Sequence, residues 1–501
     1  MATQIAKILS KPGCKRDGTR FESDYYEDLQ WCRFQRGIPR KMGGYQSVVF
    51  DFAQKVYGLN SYSANAAQYV HAGMQSQLAQ RIFNAAGAPI GSNDRTPAGL
   101  TSDPKNIWQM DSMFNIAPAN GQILVAHAAP NNDIDSQTNT PIFYGLITSP
   151  AILTATAQDP VSGGVLVVGN YLVSFGNAGL VQWSQQSQVT TATAGSANVT
   201  QQKIIVGKRI RGAGVPSALL WSLDSLVQMT FNDPATNLWN FNTITDDTSI
   251  LSSRSVIEYD GIFYWLGVDR PIMFNGVVRD LPNDMNLNYF YDNLNFAQRQ
   301  KVFAIKVPKF GEIWWCYPRG TATECTHAII YNVRLGTWYD TQLPDQGRTD
   351  GLFPRVFNKP LMTGAEQTVD GYDLWQHEVG TDRIRAGDVQ PVVSFFETHE
   401  FSLVGLEEGA PVDKSLRIER IEPDFVQIGD MTVQIRGRAN ARAAIIEGPT
   451  FTFAAASTGA QDQTVPMKST FRLFSLKFLS NVLGGAYQMG ETLGHIEPSD
   501  G

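Results

Sequence analysis

The side chains best suited to chemistry in this sequence are six histidines, four cysteines and a few clustered charges. Two imidazoles four residues apart on a helix, as in HExxH, would hold a metal. His71, His127, His327, His377, His399 and His495 have no such spacing, and they read as ordinary surface or hydrogen-bonded histidines. Cys14, Cys32, Cys316 and Cys325 contain no CxxC pair and have no histidines at ligand spacing. A disulfide scaffold would be far richer in cysteine, so reduced thiols in a protein made in a cytoplasm are expected. There is no GxSxG nucleophile elbow and no P-loop. The pattern predicts no catalytic residue, no metal ligand and no cofactor site.

Charge clusters offer a different chemistry, contact with phosphate or with an acidic surface. In GKRIRGAGVPS (207–217), Lys208, Arg209 and Arg211 follow the apolar step 204–206. The loop lacks the glycine spacing of a dinucleotide fingerprint and runs into a strand, so it reads first as a connecting turn. The functional alternative is that Lys208, Arg209 and Arg211 meet DNA phosphates or a neighbouring subunit. Arg436, Arg438 and Arg442 cluster in IRGRANAR with the same two readings. Near the N-terminus stand Lys11, Lys15, Arg16, Arg20, Arg33, Arg36, Arg40 and Lys41. They read as a solvated arm, or as an arm that clips onto the last repeat or onto an adjoining chain. The paired carboxylates Asp246-Asp247 and Glu407-Glu408 are adjacent in sequence and read as solvated.

The elements that position these residues are strands. In VIEYDGIFYWLGVDRPIMFNGVVRDL (256–281), short β-branched and aromatic runs are separated by Asp260-Gly261, the loop 267–270 and Asn275-Gly276. Asp-Gly and Asn-Gly supply the positive φ that tight hairpins need, so the stretch predicts an antiparallel meander. The pattern recurs at 164–183, 218–231, 311–339 and 360–379, with weaker forms at 68–83 and 108–127. Alone, such a meander has two raw edges and is marginal. Units starting about 40–55 residues apart are the spacing of propeller blades, which shield one another's faces and edges. The fold class expected is all-β: a β-propeller of about six or seven blades with long inserted loops, plus a smaller C-terminal β-sandwich-like domain.

Sialidase-type propellers repeat an S-x-D-x-G-x-T-W turn. The nearest segment, NVRLGTW (332–338), lacks the Asp and is not repeated, so a glycosidase is not expected. Residues 64–86 fit either a blade or a helix, with the blade favoured. Residues 184–200 read as an exposed loop, and 87–106 and 131–140 as long projecting loops. A composition shift at 404–414 marks a boundary. Beyond it LRIERIEPDFVQIG, MTVQIRGRA and FRLFSLKFL alternate like half-buried strands. The division expected is an N-terminal arm at 1–45, closing the propeller or clipping a neighbour, the propeller at 46–404, and a β domain at 405–501.

Composition bounds the function. The 43% apolar and 17% charged content belongs to a folded chain, and 44 Gly with 25 Pro favour sheet and turn. No apolar run approaches the roughly 18–20 residues of a membrane span. The N-terminal apolar step around Ile8 and Leu9 is too short for a signal peptide. A net charge of −7 is opposite to that of a tight nucleic-acid binder.

Several segments, taken together, resemble one family. They are RDGTRFESDYYEDLQWCRFQRGIPRKMGGYQ (16–46), DRTPAG (94–99), SSRSVIEYDGIFYWLGVDRPIMFNGVVRDLPNDMN (252–286), NFAQRQKVFAIKVPKFGEIWWCYPRG (295–320) and IIYNVRLGTWYDT (329–341). In order and character they resemble the tail nozzle, tail tubular or packaged-DNA stabilisation proteins of short-tailed double-stranded-DNA bacteriophages. The resemblance spans most of the chain and rests on no single motif. It implies a structural, non-enzymatic virion protein, assembled in the host bacterial cytoplasm as a ring of typically six copies. It also implies the portal–adaptor complex and tail fibre or needle proteins as partners, and genomic DNA passing without sequence recognition during ejection. Six copies at −7 each would carry −42, and an acidic wall would let phosphate slide without sticking. The alternative class is a propeller that binds or cleaves glycans.

Overall fold

The computed structural model describes residues 4–19, 23–117, 120–129, 134, 136–233, 237–354, 357–402, 414–455 and 464–499. Arg20, Glu407-Glu408, most of the 404–414 boundary and much of the loop 131–140 lie outside them.

Among the described residues, seven antiparallel four-stranded meanders follow one another along the chain. They occupy 56–94, 107–155, 164–198, 204–245, 257–280, 303–342 and, for the last, 348–377 completed by Tyr45–Phe52. Innermost strands start at Val56, Ile107, Gly164, Ile204, Ile257, Phe303 and Arg348, steps of 40 to 57 residues. The protein is a seven-bladed β-propeller. Its blades stack through apolar faces: Trp221 of blade four meets Trp265 of blade five, ring centroids 5.6 Å apart. Both rings are fully buried. Trp108 of blade two lies on Gly73 of blade one, and its indole N–H donates to the Met74 carbonyl at 2.8 Å. A Cβ on Gly73 would fall 2.2 Å from that indole, which is why the position is glycine.

Turn chemistry explains the hairpins. Asp260 and Gly261 have φ of 50° and 81°, the pair of positive values a two-residue type I′ turn requires, and they join Tyr259 to Ile262 in register. Residues 64–86 form strands, within Ala67–Met74 and Leu78–Phe83. Two expected loops contain outer blade strands instead. Gly195–Asn198 pairs with Leu180–Trp183, and Pro89–Asp94 pairs with Leu78–Phe83. An outer strand faces solvent, so its polar composition does not distinguish it from a loop.

The ring is closed by the N-terminal side of the chain. Tyr45–Phe52 pairs antiparallel with Tyr372–His377, so blade seven takes three strands from late in the sequence and its outer strand from early. Tyr45 packs edge-on against Trp375 at 5.1 Å and stacks on His377 at 5.3 Å. The hairpin formed by Asp382–Arg385 and Asp388–Pro391 extends this sheet beyond the blade.

The second unit differs from the expected 405–501. It has two six-stranded sheets. One pairs Val465–Phe471, Ser415–Ile428, Ala486–Ser499, Ile38–Lys41 and Cys32–Gln35, with Gln4–Ile8 also on Ala486–Ser499. The other joins Asp28–Gln30, Ser394–Glu397, Leu473–Ser480, Met431–Arg438 and Ile446–Phe453, with Phe401–Ser402 on Leu473–Ser480. The sheets face each other through Phe396, Phe425, Phe478 and Tyr487, with Phe425 and Phe478 5.2 Å apart. Lys11–Cys14 and Tyr25–Tyr26 pair with each other in parallel, but Gln4–Ile8, Asp28–Gln30, Cys32–Gln35 and Ile38–Lys41 are not an arm: they are strands of this sandwich. Alternation reveals a strand but not its partner, and these partners lie more than 350 residues away. The sandwich core continues into blades six and seven, where Trp31 meets Trp314 edge-on at 6.0 Å.

Candidate functional site

The seven innermost strands converge on an axial cavity of about 410 Å³. The lining mixes apolar side chains such as Leu59, Trp108 and Val206 with charged ones from the same inner strands. Ion pairs bridge adjoining or next-but-one blades. Arg209 Nη2 lies 3.1 Å from Asp111 Oδ1, and Asp111 also accepts the Ser112 and Val167 backbone N–H groups at 2.8 and 3.0 Å. Arg254 Nη1 lies 3.1 Å from Asp350 Oδ1, and its other donors reach the Thr349 and Lys301 carbonyls, both at 2.9 Å. Lys306 donates to the Glu258 carbonyl at 2.7 Å and sits 3.5 Å from its carboxylate.

Burial pushes Asp111 up, opposed by Arg209, and pushes Asp350 up, opposed by Arg254. Burial would raise Glu258 too, but the Gly261 N–H and the Lys306 charge outweigh it and hold it low. Lys208 is shifted down by burial against the pull of Asp111 and Asp350. Its ammonium makes no hydrogen bond or ion pair among the described residues, and neither does the exposed Arg211 guanidinium. The cavity lining holds five cationic side chains, Lys208, Arg209, Arg211, Arg254 and Lys306, against the carboxylates of Asp111, Glu258 and Asp350.

The structure thus brings Lys208, Arg209 and Arg211 together with one another but not with the other basic cluster. Arg436 and Arg438 lie in the sandwich and are engaged internally. Arg436 Nη1 pairs with the buried Glu397, whose other oxygen accepts the Ser475 hydroxyl at 2.6 Å. Arg438 Nε pairs with the buried Glu400 at 2.8 Å. Arg442 is exposed, beyond the end of that strand. The N-terminal cations are not simply solvated. Arg16 reaches Asp28 and Asp340 at 2.8 and 3.0 Å. Arg33, fully buried, lies 2.9 Å from Glu312 of blade six and 2.6 Å from Glu378 just after blade seven. Lys41 is buried and lowered to about 8 by desolvation, against the pull of Asp382.

Among the described residues no group of three or more His, Cys, Asp or Glu is placed to hold a metal. All four cysteines are free and buried. Sequence reasoning missed Arg254, Asp350, Lys306, Glu258 and Asp111 as cavity residues. They lie far apart in the chain, and only the blade register brings them together.

Among the described residues, no helix is long and apolar enough to cross a membrane. No family model and no curated protein matches the sequence. Among solved structures, BBS1N, crystallised in complex with ARL6DN and soaked with lead, aligns with 67% of this chain and 96% of its own at 9% identity and a TM-score of 0.41. The WD40 domain from Toxoplasma gondii coronin aligns with 70% of this chain and 89% of its own at 10% identity and a TM-score of 0.37. At these TM-scores neither likeness bears on function, and the propeller rests on the strand pairing above.

Proposed function

We propose that this chain is a structural subunit of a short-tailed phage virion. Several copies, typically six, form a ring below the portal–adaptor complex, retain the packaged genome and let it leave at ejection. The reading rests on the segments quoted above and is supported most by where the cations go. Arg16, Arg33, Arg254, Arg436 and Arg438 are engaged in internal ion pairs. Arg16, Arg33 and Arg436 each face two carboxylates, so their clusters hold three of the seven net negative charges and the other four fall on the remaining side chains. A surface of that sign gives DNA phosphates little to grip. The protein then works by shape and assembly rather than by catalysis.

The DNA path belongs between copies and not along a propeller axis. A cavity of about 410 Å³ is of small-molecule size and cannot admit a duplex, whose major groove alone is about 12 Å wide. Electron microscopy of the assembled particle is expected to show a ring of propellers around an open lumen at the tail. A monomer at the cell surface that releases sugar from host polysaccharide would reject this reading in favour of a glycan-acting propeller.

A further inference from the structure

The axial cavity has properties that a ring subunit does not require. Propeller blades surround a central channel in general, but here the roughly 410 Å³ of open volume is lined by an excess of two positive side chains. Three of the cations, Lys208, Arg209 and Arg211, come from one strand and its end. Arg209 is held by Asp111, whereas Lys208 and Arg211 make no hydrogen bond or ion pair among the described residues and feel Asp111, Asp350 and Glu258 only at longer range. Both cations open on the cavity, so an anion there would meet two charges that no carboxylate neutralises at contact distance.

We propose that the axial cavity binds a small phosphorylated molecule, with Lys208 and Arg211 as its phosphate ligands. A phosphate monoester carries about −1.5 to −2 charges at neutral pH, which matches the excess of two. A carboxylate carries one and would leave a cation uncompensated. Lysine serves as a point charge for phosphate, and arginine adds a forked donor. The volume lies within the roughly 300–1,000 Å³ of small-ligand pockets, leaving room for a group beyond the phosphate. Arg254 and Lys306, already bonded to Asp350 and Glu258, shape the wall and do not compete for the ligand. The site is independent of the ring proposed above and would stand if that ring were disproved.

Titration calorimetry of the full chain tests it, using inorganic phosphate, glucose 6-phosphate, glucose and glucuronate. Saturable, one-site binding is expected for glucose 6-phosphate, with glucose silent and glucuronate at least about tenfold weaker, the equivalent of one charge-assisted contact. Inorganic phosphate separates the two sources: equal affinity assigns the free ion, weaker affinity an ester. Lys208→Met should weaken binding about tenfold or more with an unchanged melting transition, and Arg211→Gln, at an exposed position, should weaken it in a fold that is not at risk. No saturable binding of either phosphate probe, undiminished binding in both variants, or preference for glucuronate would each overturn the proposal.

Discussion

Replacing Arg33 with methionine is expected to lower the unfolding free energy by about 3–5 kcal/mol, the usual cost of removing one partner from a buried ion pair. The guanidinium is fully buried, lies over the Phe310 ring with 3.8 Å to its centroid, and meets Glu312 and Glu378. Burial alone would lower its pKa, but the two carboxylates outweigh that and push it up, so the charge persists. Glu312 also accepts the Tyr339 hydroxyl at 2.7 Å and the Trp314 indole N–H at 2.8 Å, and burial raises its pKa against Arg33. Without the arginine, Glu312 would be a carboxylate in an apolar seam. Adding Glu312→Gln to Arg33→Met should therefore recover at least about 1 kcal/mol. Because Arg33 belongs to the sandwich and its partners to blades six and seven, the variant should also loosen the joint between them. Urea midpoints measured by tryptophan fluorescence decide it. A shift equivalent to less than about 1 kcal/mol would mean that the joint does not depend on this pair.

Acid should weaken the fold well before the carboxylate range. His71 and His127 are fully buried and His377 nearly so. Burial lowers His71 to about 3, with help from Arg95, and lowers His127 to about 4, with Lys203 also lowering it and the Val161 carbonyl opposing. Burial and the adjacent Arg348 also hold His377 well below 6.5, and its Nε2 accepts from Arg348 Nε at 3.2 Å. An imidazole depressed in the native state binds its proton first in the unfolded chain. Its stabilising contribution is therefore complete above pH 6.5 and is lost as pH falls towards the folded value. Each histidine then costs about 1.4 kcal/mol per pH unit, so these three contribute at most about 4 kcal/mol per unit below pH 6, and His327 and His399, also lowered to about 4 by burial, add to it. Glu312 and Asp350, raised by burial, pull the other way once pH enters the carboxylate range. Urea midpoints at pH 7.5, 6.5 and 5.5 should fall steeply over the last step. A flat profile would show that these rings are not held neutral.

How much of this was legible in the sequence depends on whether the information was local. Asp260-Gly261 dictates its own turn, and the run Ile262–Leu266 between two turns reads as a buried strand without further knowledge. Blade existence followed from such features. Closure by the N-terminal side was one of the two readings of 1–45, but the strand that performs it, Tyr45–Phe52, was not identified, because nothing nearby names its partner at Tyr372–His377. The same holds for 4–41, whose charges looked solvated until Asp340, Glu312 and Glu378 were placed opposite them. Of the basic clusters, 208–211 was legible as a group because its members are neighbours in the chain. Its setting in an axial cavity was not, since Asp111, Arg254, Glu258, Lys306 and Asp350 come from four other blades. Arg436 and Arg438 misled because alternation shows which face a side chain takes, but not that Glu397 and Glu400 wait there.

The claim that this chain seals a packaged genome is tested most directly by DNase protection of particles assembled without it. Such heads are expected to fill normally, then lose their DNA or expose it to nuclease, and adding the purified chain to freshly filled particles is expected to restore protection. Particles that hold their DNA equally well without the chain would contradict it.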